Sequence, residues 1–133
     1  ESKITNVHTL ENTPSGDSDQ VSLKLWGHKF MAISAGPYFT FNPSISFMVN
    51  FDPSKLDNAS DVLEEAWNKL SDGGTVLMPL GSYPFSEKYG WIQDKFGLSW
   101  QLILTNPDGE ERPTIIPSIM FAEEMCGKAE DAI

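Results

Sequence analysis

The sequence holds a single cysteine, Cys126. One thiol closes no internal disulfide and builds no cysteine metal cluster. Its neighbours Met125, Gly127 and Lys128 supply no adjacent base, so nothing beyond the thiol itself supports a nucleophile. Basic residues are also scarce: 9 Lys and Arg stand against 19 Asp and Glu, giving a net charge of −10, and they form no run. Phosphate backbones and anionic lipid surfaces attract basic patches, so neither nucleic acid nor a membrane is expected as a partner. The acidity implies solubility and self-repulsion. No apolar stretch approaches the ~20 residues that span a bilayer. No basic, apolar, small-residue leader opens the sequence, and a cytoplasmic location is expected. Glu1 rather than Met stands first, so further sequence upstream is expected. Neither a GxSxG elbow nor a phosphate-binding glycine loop occurs.

What is present suits one soluble domain. The 133 residues are 40% hydrophobic and 21% charged. A chain of this length buries roughly two-thirds of its unfolded surface and needs no covalent staple.

Hydrophobic spacing places the elements. Ile4, Val7 and Leu10 predict a short strand over 2–10, and the breaker-rich stretch 11–20 predicts a polar loop. Val21, Leu23 and Leu25 alternate with polar neighbours, Gly27-His28 reads as a tight turn, and Phe30, Met31 and Ile33 return; 21–35 is thus a hairpin. Ile45, Phe47, Val49 and Phe51 fall on one face of a strand over 44–51. The period then changes. Val62, Leu63, Ala66, Trp67 and Leu70 share a helical face over 57–72, with Asp57, Asn58 and Ser60 available as caps and Gly73-Gly74 as a stop. A strand over 75–80, an aromatic loop over 81–88, a strand over 89–94, a turn at 95–97 and a returning strand over 98–105 follow. Asn106-Pro107-Asp108-Gly109 is a turn. The order in 44–105 is therefore β-α-β-β-β, whereas 2–35 supplies three strands without a helix. Ile115, Ile116, Ile119 and Phe121 form a further extended stretch, and a short helix is expected between about 123 and 133. Alone it would be marginal, so it must dock on something.

Four stretches carry a resemblance. They are Leu25 to Pro37, Phe39-Thr-Phe-Asn-Pro-Ser-Ile-Ser-Phe47, Glu65-Ala-Trp-Asn-Lys-Leu-Ser-Asp-Gly-Gly74 and Gly90-Trp-Ile-Gln-Asp-Lys-Phe-Gly-Leu-Ser-Trp-Gln101. The last is the most specific. Across 2–104 the chain resembles the PhnB-like, 3-demethylubiquinone-9 3-methyltransferase-like branch of the glyoxalase/bleomycin-resistance/dioxygenase (vicinal oxygen chelate) superfamily. The resemblance implies an α+β fold of paired βαβββ modules, with a curved mixed sheet enclosing a cavity. It also implies a strand and a helix ahead of Ser2-Lys-Ile4, and residues 115–133 look like that unit at the other end. Residues 1–106 are accordingly expected to form a domain that lacks its opening strand and helix. Residues 107–133 would be a linker plus a strand–helix unit, which completes the first module in cis or in a swapped homodimer, or opens a second domain.

The superfamily often holds a divalent metal with His, Glu or Gln on inner strand faces, which takes three or four convergent ligands. This chain has two histidines, His8 on a strand and His28 at a turn, and both read most simply as surface residues. The strand 44–51 offers only Ser44, Ser46 and Asn50, and the last strand offers Gln101 without a carboxylate. No metal and no cofactor are therefore expected. Glu64-Glu65 and Glu110-Glu111 read as solvated faces rather than acid–base pairs. The aromatics are largely core, yet a cavity lined by them with a few polar groups is the usual small-molecule site. Ser46, Asn50, Trp91, Trp100, Gln101, Tyr83 and Phe85 are the candidate pocket residues, with the loop 81–89 as a lid. The methyltransferase name would require a doubly wound sheet with a glycine-rich first turn, and the sequence has neither. The expected function is a dimeric, metal-free domain binding an undefined small molecule. The alternatives are a metal-dependent glyoxalase/dioxygenase-like lyase or oxidoreductase, and the structural half of a tandem protein.

Overall fold

A computed structural model describes residues 2–133. The chain divides into two compact units, one up to Thr40 and the other from Phe41 to Ile133. It is α+β, mostly strand with one α-helix among the described residues, and its two sheets do not close.

The first unit is a three-stranded antiparallel sheet in the order β1-β2-β3, made of β1 (Lys3–Thr13), β2 (Gly16–Leu25) and β3 (His28–Ile33). The polar stretch 11–20 expected as a loop is mostly strand. The β1–β2 ladder runs out to Thr13 opposite Gly16, leaving Pro14-Ser15 as the turn. Side-chain bonds replace apolar packing there. Thr9 Oγ1 donates to Asp19 Oδ1 at 2.9 Å, and the Asn12 amide donates to Asp17 Oδ1 at 3.1 Å. A ribbon solvated on both faces shows no apolar alternation, so composition alone reads it as a loop. The second turn is shifted by one residue from expectation. Trp26 and Gly27 both carry positive φ, 44° and 84°, as a type I′ turn requires. His28 therefore opens β3, opposite Leu25.

The second unit contains the complete module: β4 (Ile45–Phe51), α1 (Ala59–Ser71), β5 (Thr75–Tyr83), β6 (Ser86–Gln93) and β7 (Ser99–Leu104). Its sheet has the order β5-β6-β7-β4-β8, with β8 spanning Ile115–Ile119. The β4–β7 pair is parallel and the other pairs are antiparallel, so the sheet is mixed, as expected. Helix α1 begins after Asn58 and ends at Asp72, with Gly73 at φ 73° reversing the chain cheaply. None of the expected capping side chains bonds its first turn.

Helix α1 packs on one face of this sheet. Leu63 on the helix and Ile92 and Leu102 on the strands have no exposed surface, and Val49 and Phe51 are almost as deeply buried. Lys88 reaches across from β6 to Ser60 Oγ at 2.6 Å and to the Glu64 carboxylate. The approach is closest at Gly90. A Cβ there would lie 2.5 Å from Cζ3 of Trp67, so only a glycine lets the indole lie against the strand.

Two further expectations need correction. Residues 81–88 are not a loop, and so not a lid. β5 continues to Tyr83, Pro84-Phe85 turn, and β6 starts at Ser86. Register shifts in the β5–β6 ladder between Val76 and Tyr83 break the alternation that would have marked a strand. The helix expected over 123–133 is a single 3₁₀ turn, Glu123–Met125, followed by non-helical turns. Positive φ at Glu123 (52°) and Gly127 (82°) interrupts it, and a segment this short has too little burial to hold a helix. The extended stretch before it is in the sheet, where Ile115 to Ile119 pair antiparallel with Val49 to Ile45.

Candidate functional site

Strand alternation assigns the other face of the second sheet. Lys88, Gly90 and Ile92 point toward α1, so Tyr89, Trp91 and Gln93 point away from it. Register carries this across the sheet. Trp91 lies opposite Gln101 and Gln93 opposite Ser99. In turn Ser99 and Gln101 neighbour Ser46 and Met48 in the parallel ladder. The face opposite α1 thus collects Ser46, Met48 and Asn50 from β4 with Gln101, Tyr89 and Trp91 from the neighbouring strands.

These groups are joined by hydrogen bonds. The Tyr89 hydroxyl donates to Gln101 Oε1 at 2.7 Å, and Gln101 Nε2 donates to Ser46 Oγ at 2.7 Å. Trp91 Nε1 donates to Ser99 Oγ at 2.6 Å. Ser46 and Ser99 are fully buried, Tyr89 and Asn50 nearly so, while Trp91, Met48 and Gln101 are half-buried. Burial and the neighbouring Tyr83 ring hold the Tyr89 phenol above its ordinary pKa of 10.0, so it is a neutral donor across the physiological range. Asn50 is anchored by Nδ2 to the Pro113 carbonyl at 2.9 Å, and its own Oδ1 is buried without a partner among the described residues. A buried amide oxygen left unpaired costs about 1–3 kcal/mol, so a donor that reached it would bind with that advantage.

Of the seven candidate residues, Ser46, Asn50, Trp91 and Gln101 meet on this face. Trp100 does not join them. It lies opposite Ile92 and beside Phe47 (ring centroids 5.5 Å apart), and its Nε1 donates to Asp94 Oδ2 at 3.0 Å. Tyr83 and Phe85 lie at the β5–β6 turn and line a separate cleft there. Tyr89 and Ser99 belong to the hydrogen-bonded group although neither is among the seven. Tyr89 stands two residues before Trp91 on one strand, which places both side chains on one face; that period was the available signal.

A divalent metal does not fit this donor set. The group of Ser46, Asn50, Tyr89, Trp91, Ser99 and Gln101 offers hydroxyls, amides and an indole, with no imidazole and no carboxylate among them, and both the oxygen and the nitrogen of the Gln101 amide are already bonded. Among the described residues no three His, Cys, Asp or Glu come together, and His8 and His28 lie in the first unit.

The comparisons agree with this architecture. A model of the 3-demethylubiquinone-9 3-methyltransferase family matches residues 1–103. The chain belongs to this family. Among solved structures it is similar to a PhnB protein from Bacillus cereus that bears the same methyltransferase description. The two are 36% identical with a TM-score of 0.66, over 79% of this chain and 81% of that one. Protein PA1353 from Pseudomonas aeruginosa is 26% identical with a TM-score of 0.57, over 71% and 69% of the two chains. No curated protein matches the chain. The 3-demethylubiquinone-9 3-methyltransferase-like sheet has a single parallel pair and one α-helix, without the doubly wound layers of a common nucleotide-binding methyltransferase. No helix among the described residues is long and apolar enough to cross a membrane.

Proposed function

We propose that the face of the five-stranded sheet opposite α1 binds a small, neutral, partly flat molecule without a metal. One observation carries the reading: the Tyr89–Gln101–Ser46 hydrogen-bond chain beside the half-buried Trp91 ring, with the unpaired Asn50 Oδ1 on the same face. A few directed polar groups among apolar and aromatic ones are the usual make-up of a small-molecule site. None of Ser46, Met48, Asn50, Tyr89, Trp91, Ser99 and Gln101 carries a charge, so an anion or a cation seated among them would lose its hydration without an adjoining counter-charge. The family name does not extend to methyl transfer here, because the fold offers no nucleotide-type site for a methyl donor. We further propose a cytoplasmic homodimer. Light scattering on the purified chain tests the dimer.

The test of binding is a thermal-shift screen with neutral quinones, phenols and amides beside their anionic analogues and divalent metals. A neutral hit should raise the midpoint in proportion to the logarithm of its concentration. Gln101→Leu should remove that response, since it breaks both bonds of the chain. A response confined to metals or to anions, or one unchanged by Gln101→Leu, would overturn the reading.

A further inference from the structure

A cleft of about 630 Å³ opens at the turned end of the β5–β6 hairpin, between residues 82–87, Pro53 and residues 104–107. Its lining includes none of Ser46, Asn50, Trp91 or Gln101, so it is a different place from the face just described.

Its aromatic wall is held in position. The Tyr83 and Phe85 rings stack at 5.7 Å and 21°, and both meet Tyr89 nearly edge-on, at 5.5 Å and 5.0 Å. These rings are too close to admit a guest between them. What they offer is the outward surface of Phe85, which is 61% exposed despite its size.

The polar groups of the walls are mostly spent. The Tyr83 hydroxyl donates to the Pro79 carbonyl at 2.8 Å. Ser86 Oγ donates to the Leu104 carbonyl at 2.8 Å, and Thr105 Oγ1 to that of Phe51 at 3.3 Å. Asn106 Oδ1 accepts from the Asp108 amide at 3.0 Å. Glu87 is different: it is exposed and enters no ion pair among the described residues. The next residue, Lys88, is turned to the opposite face and occupied by Glu64 and Ser60. No Lys or Arg lines the cleft. The cleft therefore presents an electron-rich ring face and one uncompensated carboxylate, in a chain of net charge −10.

We propose that this cleft binds a compact organic cation, an alkylammonium group seated on Phe85 with Glu87 as its counter-charge. The negative face of the ring attracts a cation, and the methyl or methylene groups of an alkylammonium cover its apolar surface. A strongly hydrated metal ion would gain little from the ring, and a neutral guest would leave Glu87 unused.

Tetramethylammonium chloride is the probe, with tert-butanol as its neutral near-isostere and potassium chloride as the ionic-strength control. Backbone amide shifts are followed at Ser82, Tyr83, Phe85, Glu87 and Thr105. Tetramethylammonium should give saturable shifts at these residues, and neither control should. Glu87→Gln should weaken the affinity about threefold, the scale of one exposed charge pair. Phe85→Leu keeps an apolar side chain but removes the ring face, and should abolish saturation. Both side chains are exposed, so the fold does not depend on them. Equal shifts with tert-butanol or potassium, or undiminished binding in Phe85→Leu, would overturn the proposal.

Discussion

Replacing Gly90 with alanine tests which face of the sheet α1 covers, and so which face is left for a ligand. The added Cβ would lie 2.5, 2.9 and 3.0 Å from Cζ3, Cη2 and Cε3 of Trp67. Ordinary carbon contacts are about 3.5–4.0 Å, so the overlap is about 1 Å and falls on a rigid ring. Overpacking of this kind costs about 1–3 kcal/mol. Against it, alanine restricts the unfolded chain and returns about 0.4–1 kcal/mol. The net expectation is a loss of about 1–2 kcal/mol, or roughly 4–7 °C in Tm for a domain of this size. Urea denaturation followed by circular dichroism measures it. Trp67→Leu removes the atoms that clash, so Gly90→Ala in that background should cost at least about 1 kcal/mol less than in the native one. If Gly90→Ala is neutral or stabilising, or the two changes add within about 0.5 kcal/mol, Trp67 does not rest on Gly90. The assignment of Tyr89 and Trp91 to the free face would then fall with it.

Other outcomes follow from the same geometry. The Tyr89 phenol titrates above 10.0, so its contribution to stability is intact below about pH 10 and is lost as pH rises from there through the folded-state value; absorbance titration should show a late phenol that Tyr89→Phe removes, and three tyrosines titrating together would contradict this. Leu63 has no exposed surface at the centre of the helix–sheet core, so Leu63→Ala should cost about 2–5 kcal/mol by urea titration, and a loss below about 1 kcal/mol would place α1 elsewhere. Trp91→Leu should abolish the midpoint shift produced by a neutral ligand, whereas Trp100→Leu should lower the starting midpoint and leave that shift intact; the reverse pattern would exchange the two faces.

The second unit was legible in the sequence because its strands and helix are amphipathic in the ordinary way. Ile45, Phe47, Val49 and Phe51 alternate, and Leu63, Ala66, Trp67 and Leu70 follow the helical period. The register was not. Nothing local says that Gln101 stands opposite Trp91 and beside Met48, yet that pairing separates Trp91 from Trp100 although both are strand tryptophans. The two strand stretches that read as loops share a physical cause, since each is a place where side-chain hydrogen bonds or bulges replace apolar alternation. Residues 11–20 are tied by Thr9, Asn12, Asp17 and Asp19, and residues 81–88 follow a bulged ladder with Ser86 bonded to Lys88 and Leu104. Tyr89 was assigned to a lid for the same reason: once 81–88 is read as a loop, its neighbour falls at a loop edge rather than inside a strand.

The distribution of charge bears on chemistry more directly than the fold does. The chain has 19 acidic residues and places none of them among Ser46, Met48, Asn50, Tyr89, Trp91, Ser99 and Gln101. Metal-dependent chemistry needs ligands that hold a dication against water, and carboxylates and imidazoles do this where a bonded amide does not. Acid–base chemistry needs a group that changes protonation near neutral pH, and the one titratable side chain here, Tyr89, is moved further from that range. The neutral recognition proposed above asks for neither kind of group. On that proposal, a donor chain of fixed direction, a ring and a buried amide oxygen would discriminate between molecules without reacting with them.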